Sequence, residues 1–225
     1  MGVAGNLARV RERIAFACER AKRDPGSVKL VAVSKVQPVE SIREALEAGQ
    51  RAFGENYAQE LREKSDAIGE GAAVEWHFLG ALQTNKVKMV VGRTALVHTC
   101  DRASLAQELN KRAAALGTVQ RVLVEVNLAE EAQKGGIAPR ELGSFLDTVG
   151  KLSALRCEGF MCIPPADDDA RKHFRRLREL RDEFRGGAGS ELSMGMSADY
   201  EAAIEEGATI VRVGTAIFGE RPPKA

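Results

Sequence analysis

Lys29-Leu30-Val31-Ala32-Val33-Ser34-Lys35 is the stretch that decides how the chain is read. Its apolar centre suits a buried strand, and Pro38 keeps that strand from running on as a helix before Val39. The strand, placed at 29–35, therefore ends in an amine. A lysine in this place is either a solvated end-of-strand charge or a group held for chemistry, and the stretch by itself leaves both open.

Working outward, residues 4–23 set Leu7, Val10, Ile14, Ala17, Cys18 and Ala21 three or four apart, one apolar stripe of a helix that ends near Pro25-Gly26. Downstream the punctuation alternates. Helix 39–48 closes at Gly49 and is followed by strand 51–54; helix 57–67 closes at Gly69, before strand 74–79. Helix 84–91, strand 94–98, helix 102–116 and strand 121–127 come next, then helix 139–150, strand 155–161, helix 167–185, a short strand 191–193, helix 199–206 and strand 209–213. Runs such as Val122-Leu123-Val124 and Ile210-Val211 are apolar without alternation, which fits parallel strands covered on both faces. An open doubly wound sheet shares this alternation. Eight repeats in so short a chain, with no dinucleotide fingerprint after the first strand, favour a closed α/β barrel of the (β/α)8 TIM type with an extra N-terminal helix, and 1–225 as one domain.

Composition narrows the function classes. The 33 Lys+Arg balance 32 Asp+Glu, so no basic field recruits nucleic acid or an anionic membrane. Arg171 to Arg185 also contains Glu179, Asp182 and Glu183 and reads as a solvated helix face. No apolar run spans a bilayer, and Arg9, Arg11 and Arg13 interrupt what a signal peptide would keep apolar, so a cytoplasmic protein is expected. Cys18, Cys100, Cys157 and Cys162 form no CxxC pair and read as reduced, buried thiols; His98 and Cys100 lack a second ligand pair, so no metal is expected.

In such barrels the loops after the strands line one mouth. Lys35 follows strand one, Asn56 strand two, Lys134 strand five, and Ser193-Met194-Gly195-Met196-Ser197 the seventh; strand eight carries Arg212 and opens into Gly214-Thr215. Glycines that admit backbone amides, the Ser197 and Thr215 hydroxyls and a helix starting at Thr215 make the last two loops an expected phosphate site. For either loop alone, a helix cap or a strand end is the plainer reading. A lysine facing a phosphate cradle suits an aldehyde-bearing phosphate held as a Schiff base, and pyridoxal 5′-phosphate (PLP) has that form.

Five blocks also carry a family resemblance: Val33-Ser34-Lys35, Gly54-Glu55-Asn56-Tyr57, Trp76 to Lys86, Ser193 to Asp199, and Val211 to Gly219. In order and over nearly the whole chain they resemble the YggS/PROSC group of pyridoxal phosphate homeostasis proteins, with Ala81 standing where that pattern has proline. The resemblance implies PLP as cofactor, Lys35 as the internal-aldimine lysine, Ser197, Gly214 and Thr215 as phosphate contacts and Arg212 as partner of the ring nitrogen. It also places Asn56 beside the ring and Met196 among the cofactor contacts. The spacing from Ser197 to Arg212 is similar to that of alanine racemase. Arginine is a donor only, so opposite the ring nitrogen it disfavours a pyridinium and weakens the electron sink.

Racemisation needs acid/base groups on both faces of the reacting carbon, and alanine racemases supply one of them from a further domain. Here six residues follow Gly219, and Tyr57 and Tyr200 are the only tyrosines. The expectation is therefore a monomeric PLP carrier, not an enzyme, with PLP-dependent apoenzymes as recipients. A racemase and a cofactor-free Schiff-base aldolase acting on a phosphosugar are the alternatives. Lys134, before Gly135-Gly136, is either a second amine for handing on the aldehyde or an exposed loop charge. His77 and His98 read as core histidines or as groups near the ligand. Gly186-Gly187-Ala188-Gly189 reads as a connector, and Asp167-Asp168-Asp169 as a helix start.

Overall fold

Strands that are apolar on both faces must be covered on both, and closing the sheet into a ring with helices outside does this without leaving an edge. The computed structural model describes residues 2–131, 135–184 and 189–220. Its strands β1 (Lys29–Val33), β2 (Ala52–Glu55), β3 (Glu75–Phe78), β4 (Leu96–Cys100), β5 (Gln120–Glu125), β6 (Leu155–Met161), β7 (Glu191–Ser193) and β8 (Ile210–Val213) form a closed parallel barrel in chain order. The ring shuts where Lys29 to Ala32 pair with Ile210 to Val213. The helices are α1 (Val3–Arg20), α2 (Val39–Glu47), α3 (Ala58–Ile68), α4 (Ala103–Ala115), α5 (Leu142–Gly150), α6 (Ala170–Glu183), α7 (Tyr200–Glu205) and α8 (Thr215–Phe218). The (β/α)8 barrel expected from the alternation is thus the fold observed.

Strand parity sorts the core into two parts. The larger joins the outward strand faces to the helices, with Leu7, Ile14, Phe53, Leu61, Phe78, Phe160 and Phe174 among its members. The smaller fills the barrel axis with Val31, Ala52, Leu79, Leu96, Leu123, Met161 and Ile210. The same inward positions also carry His77, His98, Ser193 and Arg212, all buried. Part of the barrel interior is therefore polar by sequence.

α1 packs outside the ring against α2, α7 and α8. Arg13 and Arg20 pair with Glu201, and the Asn6 amide donates to the Ile217 carbonyl at 2.8 Å, tying α1 to the turn after β8. The arginines of α6 are partly exposed, as a solvated face would be, and are also paired. Arg171, Arg175 and Arg178 converge on the buried Glu206 carboxylate just past α7, at 3.0–3.3 Å.

Several boundaries differ from the sequence reading, each for a local reason. α1 stops at Arg20, and Lys22 takes a left-handed φ of 53° that no helix continues through. The helix expected at 84–91 is a 3-10 segment, Thr84–Met89, because its buried anchors Val87 and Val90 lie three apart, the period of the tighter helix. β4 starts two residues late, since the Thr94 amide and hydroxyl both bond to the Val90 carbonyl and finish that turn. α6 begins at Ala170, where the Asp169 carboxylate caps the Arg171 amide at 3.0 Å. Among the described residues all four cysteines are free and no cluster of metal-ligating side chains occurs.

β6 slips its register against β5 between Cys157 and Gly159, leaving one extra residue. At Gly159 φ is 146°, and a Cβ would lie 2.0 Å from the Glu191 carbonyl oxygen. Gly159→Ala should therefore lower unfolding stability by at least about 1–3 kcal/mol, the cost of such backbone strain alone, measured by urea denaturation.

Candidate functional site

The inward face of β1 runs through Val31 and Val33 to Lys35, so the lysine leaves the strand on the axial side of the barrel. It lines a cavity of about 300 Å³ at the mouth, together with Val33, Asn56, Leu79, Ile163, Met196, Ser197, Ala198, Arg212, Gly214 and Thr215. All seven residues singled out from the sequence, Lys35, Asn56, Met196, Ser197, Arg212, Gly214 and Thr215, thus face one space. Its walls are divided: Val33, Leu79, Ile163 and Met196 are apolar, the hydroxyls lie on the side of the last two loops, and two basic side chains come from the turn after β1 and from β8.

The hydroxyl side is a cluster of donors. The amides of Gly214 and Ala216 point at Ser197 Oγ, at 3.3 and 3.5 Å, distances long enough for an anion to take them over. Gly195 allows this loop to turn: its φ is 90°, and a Cβ would come within 2.6 Å of the Ala203 methyl. The expected help from a helix dipole is small, because α8 is a single turn of four residues. Individual amides and hydroxyls supply the donors instead.

Arg212 is 5% exposed and held from two sides, by Ser193 Oγ at 2.7 Å and the Cys162 carbonyl at 2.9 Å. Burial pulls its pKa down, with Cys162, Glu125 and Asp199 acting the other way. The same burial pushes the Cys162 thiol up to about 12, so it stays a neutral, inert neighbour.

Lys35 is positioned by a group that the sequence reading passed over. The buried Lys64 ammonium on α3 donates to the Ser34 carbonyl at 2.7 Å, to Glu55 Oε1 at 2.8 Å and to Glu60 Oε2 at 2.8 Å, which uses all three of its hydrogens. Glu55 also accepts from Ser34 Oγ at 2.7 Å, and Glu60 from the Val36 amide at 2.8 Å. The residues on both sides of Lys35 are thereby fixed, and Val36 is kept at a φ of 62°, a rare place for a β-branched residue. The available signal was Lys64 on the stripe Ala58, Leu61, Lys64, four residues after Glu60. Burial pushes Glu55 up to about 6 against the pull of Lys64, so it is ionised at neutral pH. Lys64→Met should cost about 3–5 kcal/mol by leaving that carboxylate unpaired, and adding Glu55→Gln should recover part of the loss in urea titrations.

Across the mouth, the carboxylates of Asp101 and Glu125 both face Gly135, where a Cβ would lie 3.2 and 4.0 Å from them. Burial first, and Asp101 second, push Glu125 up to about 7, with Arg212 opposing. A folded pKa above the unfolded value means that the native state holds this proton more tightly. Its stabilisation is complete below about pH 4.5 and disappears as pH rises through about 7. Glu125→Gln should flatten the fall in stability across that window, read from urea midpoints at successive pH values.

Other candidates lie elsewhere. His77 and His98 are buried in the barrel axis and do not line the cavity; Tyr57 is exposed at the start of α3, and Tyr200 is buried on α7 beneath Arg13. Ala81 is exposed beside a neighbouring cleft that shares Asn56 with the cavity. Lys134 and Gly186-Gly187-Ala188 fall outside the described residues.

Fold and site together define a parallel eight-stranded barrel with an amine and an anion-ready pair of loops at its mouth, and the family model described as alanine racemase, N-terminal domain, matches residues 5–222. The pyridoxal phosphate homeostasis protein of Aquifex aeolicus is 48% identical over 98% of this chain and 99% of its own length; that of Pseudomonas aeruginosa is 44% identical over 97% and 96%. The chain belongs to the family of pyridoxal phosphate homeostasis proteins. Among solved structures, PipY of Synechococcus elongatus with PLP bound superposes with a TM-score of 0.84 at 36% identity, covering 96% of this chain and 100% of PipY. Alanine racemase of Clostridium difficile shares the fold, with a TM-score of 0.74 at 17% identity over 99% of this chain and 57% of the racemase.

Proposed function

We propose that the mouth cavity binds PLP and that the protein carries or buffers this cofactor, maintaining vitamin B6 homeostasis without robust turnover of amino acids. The donor set fits the group. The amides of Gly214 and Ala216 with the hydroxyls of Ser197 and Thr215 suit a phosphate, the apolar walls suit a ring, and Lys35 supplies an amine. When bound, the cofactor supplies an aldehyde that condenses with amines.

The chain's own residues do the rest. Lys35 holds the aldehyde end, with its backbone kept in place by the Lys64 cluster. Arg212 would face the ring nitrogen as a donor that takes no proton, which would leave the ring a weak electron sink. Asn56 and Met196, which line the same cavity, would flank the ring. The observation that carries the carrier reading is the cavity lining, where Lys35 is the only side chain of ordinary acid/base character among the described residues. Neither tyrosine lines it, and the Asp101 and Glu125 carboxylates across the mouth are not part of its lining, so among the described residues the cavity wall itself presents no second proton-transfer group beside Lys35. We place the protein in the cytoplasm as a monomeric, single-domain carrier that hands PLP to apoenzymes. Among the described residues no helix is long and apolar enough to cross a membrane.

Protein loaded with PLP should be yellow, and Lys35→Ala should lose the visible band while keeping the far-UV dichroism of the fold. Ser197→Ala should weaken PLP more than pyridoxal, which lacks the phosphate. A wild type that stays colourless with PLP supplied overturns the reading. An amino-acid panel that turns over at about 1 per second or faster would make it an enzyme instead.

A further inference from the structure

A line of buried polar groups leaves Arg212 and runs through the barrel axis to the opposite end. Arg212 Nη1 lies 2.7 Å from Ser193 Oγ, which lies 2.8 Å from His98 Nδ1; His98 Nε2 is 2.8 Å from His77 Nδ1, and His77 Nε2 is 3.3 Å from Glu75 Oε1. Glu75 is closed off in turn by the Lys29 ammonium at 2.6 Å. Ser193 and both imidazoles are fully buried, and neither histidine touches the cavity. Three polar groups in a barrel axis otherwise filled by aliphatic side chains are costly to bury, and the mouth chemistry uses none of them directly.

The two ends dictate the direction of every hydrogen in between. Arg212 can only donate, so Ser193 accepts from it; the Glu75 carboxylate facing His77 Nε2 requires a hydrogen on that nitrogen, which leaves His77 Nδ1 to accept from His98 Nε2 and the bare His98 Nδ1 to accept the Ser193 hydrogen. His98 then carries its hydrogen on Nε2 and donates to His77 Nδ1, and His77 carries its own on Nε2, which faces the Glu75 carboxylate at 3.3 Å as a charge contact without hydrogen-bond geometry. The reverse order would set a bare imidazole nitrogen against that carboxylate. Both rings are therefore neutral Nε2–H tautomers. The charged groups that face them agree: burial first, and then Lys29 and Arg121 at His77 and His77, Arg212 and Lys29 at His98, hold both below the ordinary histidine range despite the pull of Glu75 on His77. His77 in turn holds Glu75 down to about 2.

We propose that His98, backed by His77 and Glu75, is a positioning residue: the one-way relay orients Ser193 as an acceptor and so fixes the Arg212 guanidinium with its free edge toward the ring nitrogen of the bound cofactor. The proposal rests on the PLP reading above for the ligand, but the relay itself is a property of the ligand-free protein. Two N–H groups of Arg212 are committed to Ser193 and the Cys162 carbonyl, leaving three for the cavity. A guanidinium so held cannot swing to a different donor geometry when the ligand leaves.

The test has two arms. In ligand-free protein labelled with 15N, side-chain NMR between about pH 6 and 8 should show both imidazoles as neutral Nε2–H tautomers. A stable Nδ1–H tautomer or an imidazolium at either ring overturns the relay. In the second arm, Ser193→Ala and the remote Glu75→Ala are loaded with PLP. Each should bind it about three- to tenfold more weakly, shift the visible band, and give a mixture of histidine tautomers, while borohydride still fixes the label on Lys35. A yellow wild type whose two variants match it in spectrum, affinity and tautomer sinks the positioning role. A wild type that never turns yellow sinks the cofactor reading and leaves the first arm to judge the relay.

Discussion

The site depends on one buried ammonium. Lys64 is surrounded by a main-chain carbonyl and two carboxylates, and through them it grips the residues before and after Lys35. An ion pair in this position is a weak source of net stability, because both charges lose their water. What it provides is geometry. A strand tip is ordinarily a place where backbone frays, and here the tip is bonded from outside the barrel by α3 while the lysine side chain enters from the axis. The left-handed Val36 that results is strain held by the carboxylate of Glu60.

The barrel interior is arranged around a related need. Aliphatic side chains fill one part of the axis, and a column of hydrogen-bonded groups fills the rest, ending at the mouth in Arg212. The cavity is thus bounded by two cations of different freedom. Lys35 has a flexible stem on a rigid base, suited to forming and releasing a bond, whereas Arg212 is immobilised along its length, suited to a fixed contact. The anion side differs again, being built from short polar groups on turns, where Gly195 lets the chain fold back tightly.

Much of this was legible in the sequence, and the remainder shows what a sequence withholds. Apolar runs with glycine stops mark eight strands because burial on both faces makes each strand continuously apolar. Loops that follow strands share a mouth, so Lys35, Asn56, Ser197, Arg212 and Thr215 could be grouped before any coordinates. Boundaries erred where hydrogen bonds, not hydrophobicity, set them, as at Thr94 and at the tight turn after β3. Lys64 and Glu55 were passed over because burial of a charge is decided by which partners the tertiary fold delivers, twenty or more residues apart in the case of Ser34 and Glu55. The axial histidines show the same limit: parity can point them inward, but their link to Ser193, 95 positions beyond His98, exists only in space.

The tie between Asn6 and the carbonyl of Ile217 spans 211 positions, and β1 closes the ring only against β8. Ring closure and the completion of the last two mouth loops are therefore one late event in the life of the polypeptide. On a ribosome, α1 and β1 emerge early with their partners still unmade, and no intermediate length of chain brings Ser197, Gly214 and Thr215 to the mouth beside Lys35. Such long-range pairing is slow to form, so the mouth cavity is completed only once synthesis has passed the last strand.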